Sequence, residues 1–64
     1  LMLLRVQTTD DEVLYVNENQ IAYVKKVDTR LLDEESTWQV FLTDVAETSF
    51  IIPYSELKRQ KQVV

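Results

Sequence analysis

The chain of 64 residues contains no cysteine, no histidine and no glycine. Without cysteine it can form neither a disulfide framework nor a catalytic thiolate. Without histidine it also lacks the usual ligands of structural zinc and the commonest general base near neutral pH. The lack of glycine excludes a P-loop and a dinucleotide-binding fingerprint. We therefore expect a chain that is not an enzyme and holds no cofactor and no metal.

The missing glycine also limits the turns, because tight two-residue hairpins depend on residues with positive φ. Asparagine or aspartate must supply any left-handed backbone conformation in this chain. The polar segment Asn17–Gln20 is interpreted as a bend between two strands, because Asn17 and Asn19 are the residues most able to adopt positive φ after glycine. A loop that contacts a ligand is the alternative for this segment.

Charge of one sign dominates, since eleven acidic residues against seven basic ones give a net charge of −4. A negative field disfavours general binding to nucleic-acid phosphates. The first interpretation of the basic residues is a set of solvated cations, some of them at the negative end of a helix dipole. The alternative is a nucleic-acid contact made by five of them: Lys25, Lys26, Lys58, Arg59 and Lys61.

Long apolar runs are absent, and no stretch approaches the roughly 20 apolar residues of a membrane helix. The opening segment LMLLR is too short for the apolar region of a signal peptide, and its arginine follows the apolar residues. We therefore expect no contact with a membrane and a cytoplasmic location.

What the sequence does contain is the alternation of apolar and polar residues typical of β-strands. The pattern predicts one domain over residues 1–64, with a helix at about 55–62 that begins after Pro53 and is capped by Ser55. The predicted fold is mainly β: a small five-stranded antiparallel meander or an SH3-like, partly open barrel with a short C-terminal helix. The strands are predicted at about 2–8, 13–16, 21–27, 37–43 and 48–52.

A domain of this size has a core that barely offsets chain entropy, and the usual staples are missing. Self-association is the remaining means of stabilisation, so we predict a homo-oligomer that acts as a protein-interaction or regulatory module. Phe41 is assigned either to an interface or to a position under the helix with Leu57, and the leucine pair at 31 and 32 either to loop anchoring or to a partner contact. The predicted interface residues are Leu1, Leu3, Phe41, Leu31 and Leu32.

The order of the predicted elements resembles a known family. The segments LRVQT, IAYV, WQVFL, SFIIP and SELK follow one another as in the first half of the LytTR-type DNA-binding domain of bacterial response regulators. Ile21, Tyr23 and Val24 match its strand motif, and the segment 55–57 matches its helix motif. The placement of Tyr15, Asn17 and Ile21 is also similar to small FlbD-like flagellar regulatory proteins. The resemblance implies a small β architecture and, as an alternative function, nucleic-acid binding through the basic C-terminal helix.

Overall fold

The computed structural model describes residues 3–43 and 48–60, and the statements below refer to these residues. Two short 3-10 helices, Glu18–Gln20 and Asp33–Glu35, lie in the connections. The mainly β fold class with a short C-terminal helix is confirmed. The strands are β1 (Leu3–Gln7), β2 (Val13–Asn17), β3 (Ile21–Lys26), β4 (Trp38–Leu42) and β5 (Ser49–Ile52), and the helix is α1 (Tyr54–Gln60).

The strands form two separate antiparallel sheets. β1 pairs with β2 in one sheet, and the other sheet has the order β3-β4-β5. Each sheet keeps its strands in chain order, as a meander does, but the chain passes from one sheet to the other between β2 and β3. The described segments thus form an open pair of sheets and no closed barrel.

The core lies between the inner faces of the two sheets. Its buried side chains are Val6, Val16, Val40 and Ile52, one from each strand except β3. Alternation along each strand brings these side chains to one face. Seven partly buried side chains complete the core: Leu4, Leu14, Ile21, Trp38, Leu42, Phe50 and Leu57. A core with four buried apolar side chains is small even for a domain of this length, which fits the marginal stability expected from the sequence.

The turn residues differ from the prediction. Within the described ranges, the residue with positive φ is Asp11, at 66°, in the connection between β1 and β2. Asn17 has φ −73°, and its side chain accepts a hydrogen bond of 3.0 Å from the Asn19 N–H at the start of the first 3-10 helix. The chain does bend between β2 and β3, through this 3-10 helix. Neither Asn17 nor Asn19 has the positive φ for which it was a candidate, because Asn17 acts as a cap in an extended conformation instead.

The helix begins one residue earlier than predicted, directly after Pro53. The carbonyl of Pro53 accepts hydrogen bonds from the N–H groups of Glu56 (3.0 Å) and Leu57 (3.2 Å). Ser55 lies inside the first turn, so the predicted cap at Ser55 is wrong. Residues 61 and 62 of the predicted helix lie outside the described part of the chain. No helix among the described residues has the length and apolar character needed to cross a bilayer.

Candidate interaction surface

The outer face of the β1–β2 sheet carries three exposed apolar side chains. Leu3 is 54% exposed, Val13 44% and Tyr15 66%. Their neighbours in the two strands include the buried Val6 and Val16, so alternation forces these three to the opposite face. We call the patch formed by Leu3, Val13 and Tyr15 the outer apolar patch. Contiguous apolar side chains on a surface are typical of interaction sites.

The free edge of β1 is closed by α1. The Gln7 N–H donates to Glu56 Oε1 at 3.0 Å, and the Arg5 carbonyl accepts from Arg59 Nη2 at 2.9 Å. Glu56 is buried, and its carboxylate also accepts from the Arg59 guanidinium. Two side chains of one helix therefore occupy backbone groups that a further strand would need.

The edge of β5 is contacted in a similar way by the loop that follows β1. The carbonyl of Ile51 accepts a hydrogen bond of 2.9 Å from the Thr9 N–H and one of 3.5 Å from the Thr9 hydroxyl. This contact also joins the two sheets at one end of the core.

The edge of β3 has two features that discourage strand addition. Its register with β4 shifts between Ile21 and Tyr23, which marks a β-bulge. It also carries Lys25 and Lys26, and the Lys26 ammonium forms a 2.8 Å ion pair with Asp33. Bulges and lysines are the usual means by which proteins protect exposed edges.

The edge of β2 has none of these features. The Thr8 N–H donates to the Glu12 carbonyl at 2.8 Å, which fixes the phase of the β1–β2 ladder. In an antiparallel pair, the backbone N–H and C=O groups of successive residues point alternately toward the partner strand and away from it. The backbone groups of Leu14 and Val16 therefore point toward β1, whereas those of Val13 and Tyr15 point away from it. Among the strands that the structure describes, β2 pairs with β1 alone.

The other predicted interface residues lie on different surfaces. Phe41 is half-buried on the outer face of the three-stranded sheet, where its ring stacks on Tyr23 with a centroid distance of 4.6 Å. It lies opposite the core face that Leu57 contacts. Leu31 and Leu32 are exposed in the connection between β3 and β4. Leu1 lies outside the described residues.

Sequence reasoning missed Val13 and Tyr15 as members of the outer apolar patch. The signal is present in the pattern VLYVN of β2, in which both faces are apolar. It can be used only when the pairing with β1 shows which face is buried.

Two of the cations predicted to bind nucleic acid form ion pairs with acidic side chains. Lys26 pairs with Asp33, and Arg59 pairs with Glu56. The hydrogen bond and the charge of Glu56 raise the pKa of the Arg59 guanidinium above its ordinary value. In addition, α1 packs against the acidic 3-10 helix Asp33–Glu35 as well as against β1.

The remaining cations of that set are less constrained. Lys25 and Lys58 are exposed, and Lys61 lies outside the described residues. Since only two of the four described cations are exposed without an acid partner in the described chain, the structure offers little positive surface to a phosphate backbone.

Two cavities of the described chain differ in size and lining. An apolar cavity of about 60 Å³ lies between the sheets beside Leu4, Val24 and Leu57, well below the roughly 300 Å³ at which ligand pockets begin. A larger groove of about 390 Å³ lies beside Thr8 and Ile51. No group of three or more potential metal ligands occurs among the described residues.

Within that groove the polar groups already bind one another. The Thr8 hydroxyl donates to the Asp10 carboxylate at 2.7 Å and accepts from the Glu12 N–H at 3.1 Å. These bonds hold the turn between β1 and β2. We therefore interpret the groove as part of the turn's structure.

Comparison with protein-family models, with curated proteins and with solved structures found no match to this chain.

Proposed function

We propose that this protein is a non-catalytic, cytoplasmic β domain that acts as a homo-oligomeric protein-interaction or regulatory module. The observation that supports the proposal best is the outer apolar patch, whose three side chains are exposed on a sheet with a small core beneath it. Burial of this patch by another chain removes apolar surface from water, which is the main driving force of association.

The size of the patch bounds the affinity. The three side chains are already about half buried, so completing their burial on both copies contributes on the order of 5–9 kcal/mol before the costs of association. A micromolar complex requires a net of about 8 kcal/mol. Loss of translational and rotational freedom costs at least about 4 kcal/mol. Other contacts must contribute as well, so we expect a complex in the micromolar range or weaker.

Sedimentation equilibrium from about 1 to 200 μM covers this range of affinities. We expect the average mass to rise with concentration for the unmodified chain. A Leu3→Ser/Val13→Ser variant should remain closer to the monomer mass, because its patch keeps only one of the three apolar side chains. Leu32→Ser is the matched control, since Leu32 is also exposed but lies in a loop away from the sheet.

Two results would contradict the proposal. One is a monomer at all concentrations of the unmodified chain. The other is loss of association in Leu32→Ser with none in Leu3→Ser/Val13→Ser, which would locate the interface in the loop. Circular dichroism of each variant verifies that the fold is retained.

A second candidate function is nucleic-acid binding of the LytTR-like type. It is supported by the exposure of Lys25 and Lys58 and by the resemblance of the element order. Such binding would weaken steeply as salt is added, because it depends on release of counterions. Retention of labelled DNA or RNA at low ionic strength, lost in Lys25→Ala/Lys58→Ala, supports this candidate. Absence of any salt-dependent retention dismisses it.

A further inference from the structure

We propose that two copies of this chain associate by antiparallel pairing of β2 with β2 of the second copy. The two strands would meet across a two-fold axis and join the two-stranded sheets into one sheet of four strands. This inference specifies the backbone contact in the self-association of the proposed function and rests on that proposal.

Of the four sheet edges in the described chain, the edge of β2 is the one that remains open. α1 occupies the edge of β1, Thr9 occupies the edge of β5, and β3 carries a bulge and two lysines. β2 has the sequence VLYVN, with no charge and no proline, and its register with β1 is regular over all five residues. A flat, uncharged, apolar edge is the kind that pairs with another chain.

The phase of the ladder defines the register of the pair. The backbone groups of Val13, Tyr15 and Asn17 point away from β1, as derived above from the Thr8–Glu12 hydrogen bond. A two-fold axis at Tyr15 places Tyr15 opposite Tyr15 of the partner subunit, and Val13 opposite Asn17 of the partner subunit. Pairs of this type exchange two backbone hydrogen bonds each. The occupant is a second copy because this edge complements itself.

The same register adds side-chain contacts on the outer face. The two Tyr15 rings become a cross-strand aromatic pair, which strand pairing favours. On this face the paired strand of the second copy covers part of Val13 and Tyr15, whereas Leu3 lies on β1, one strand away from the axis.

The net charge of the chain gives the pairing a recognisable salt dependence. Each copy carries a net charge of −4, so two copies repel each other. Added salt screens this repulsion. The dimer should therefore become tighter as salt is added, which is opposite to the behaviour of a nucleic-acid complex.

Amide hydrogen exchange in the unmodified chain tests the pairing directly. The N–H groups of Val13 and Tyr15 should exchange more slowly at a concentration where sedimentation shows dimer than at one where it shows monomer. The N–H groups of Leu14 and Val16 bond to β1 in either state and serve as internal controls.

A charge placed at the two-fold axis provides the matching mutational test. Tyr15→Lys puts two ammonium groups opposite each other and should raise the dimer dissociation constant about tenfold or more, a change of roughly 1.4 kcal/mol. Leu32→Lys adds the same charge at an equally exposed position, so its dissociation constant should stay within about twofold of the unmodified value.

The outcomes separate this inference from the proposal on which it rests. If the chain dimerises but Val13 and Tyr15 exchange equally fast in monomer and dimer, the β2 pairing is refuted and self-association stands. If the chain remains a monomer at every concentration, both fail. Slower exchange of both amides together with weakening by Tyr15→Lys supports the pairing.

Discussion

Asp11 supplies the left-handed turn conformation that glycine supplies in most hairpins. Its φ of 66° is tolerated by aspartate, which can form local hydrogen bonds, here with the Gln7 side-chain amide at 3.4 Å. A β-branched residue has no such compensation. Asp11→Val should therefore lower the free energy of unfolding by about 1–2 kcal/mol in urea titrations.

The control for this position is Asp11→Gly. Glycine adopts positive φ without strain, and its cost is the greater conformational entropy that it gives the unfolded chain, so its effect should be less than about 1 kcal/mol. Equal losses in Asp11→Val and Asp11→Gly would show that the backbone conformation is not what matters at this site.

Asp28 provides a prediction about pH. Its carboxylate accepts hydrogen bonds from the Arg30 side chain at 3.1 Å and from the Arg30 N–H at 3.0 Å, and these bonds lower the pKa of Asp28 below its ordinary value of 3.8. Because the pKa of Asp28 is lower in the folded state than in the unfolded chain, its ionised carboxylate stabilises the fold at pH values above the ordinary pKa of 3.8. This stabilisation is lost as the pH falls through the folded-state pKa.

NMR titration of the Asp28 carboxyl carbon measures this effect. The midpoint should lie below 3.8, and in Arg30→Gln it should move upward because the guanidinium is gone. Lys25→Gln removes a cation of β3 that is not among the causes of the lowered pKa, and it is the control. A midpoint that does not move in Arg30→Gln would contradict the assigned cause.

The positive-φ position shows how far composition predicts single residues. The lack of glycine correctly restricts the left-handed residue to aspartate or asparagine, because few other residues tolerate it. Composition alone cannot choose among the candidates. Asn17 was the wrong choice because its side chain caps the first 3-10 helix, which requires extended backbone.

At the scale of elements, the docking of α1 on β1 depends on Glu56. Its buried carboxylate satisfies the Gln7 N–H and the Arg59 guanidinium together. Glu56→Ala leaves a partly buried backbone donor without a partner, which costs about 1–3 kcal/mol in the free energy of unfolding. Chemical denaturation followed by circular dichroism measures the loss.

Ser55→Ala is the matched control for the helix, because Ser55 is its exposed neighbour. Substitutions at such surface positions usually change stability by less than about 0.5 kcal/mol. If Glu56→Ala and Ser55→Ala have the same effect, the carboxylate does not hold α1 to β1.

The strands were more predictable than the docking of the helix. Alternation places Trp38, Val40 and Leu42 on one face, and the structure finds all three in or against the core. The Glu56–Gln7 bond joins residues 49 positions apart, so no local pattern reveals it. The separation into two sheets also depends on contacts between distant residues, which explains why the sequence left meander and barrel as alternatives.

At the scale of the whole molecule, self-association should couple to thermal stability. Binding that occurs only between folded chains stabilises them in proportion to the logarithm of concentration. The Tm of the unmodified chain should therefore rise with concentration in scanning calorimetry. Tyr15→Lys should show a smaller rise, and a Tm that is constant over a hundredfold range would contradict oligomer formation.

Trp38, the chain's single tryptophan, donates its indole N–H to the Asp33 carbonyl at 3.2 Å, and its ring packs against the core. The same ring therefore contacts the interior and the acidic 3-10 helix beside α1. Its fluorescence is an intrinsic optical reporter that senses the core and this connection at once. Ultraviolet excitation can follow the folding of the domain without any attached dye, and a shift in emission that precedes the loss of β-sheet signal would identify the β3–β4 connection as the first part to open.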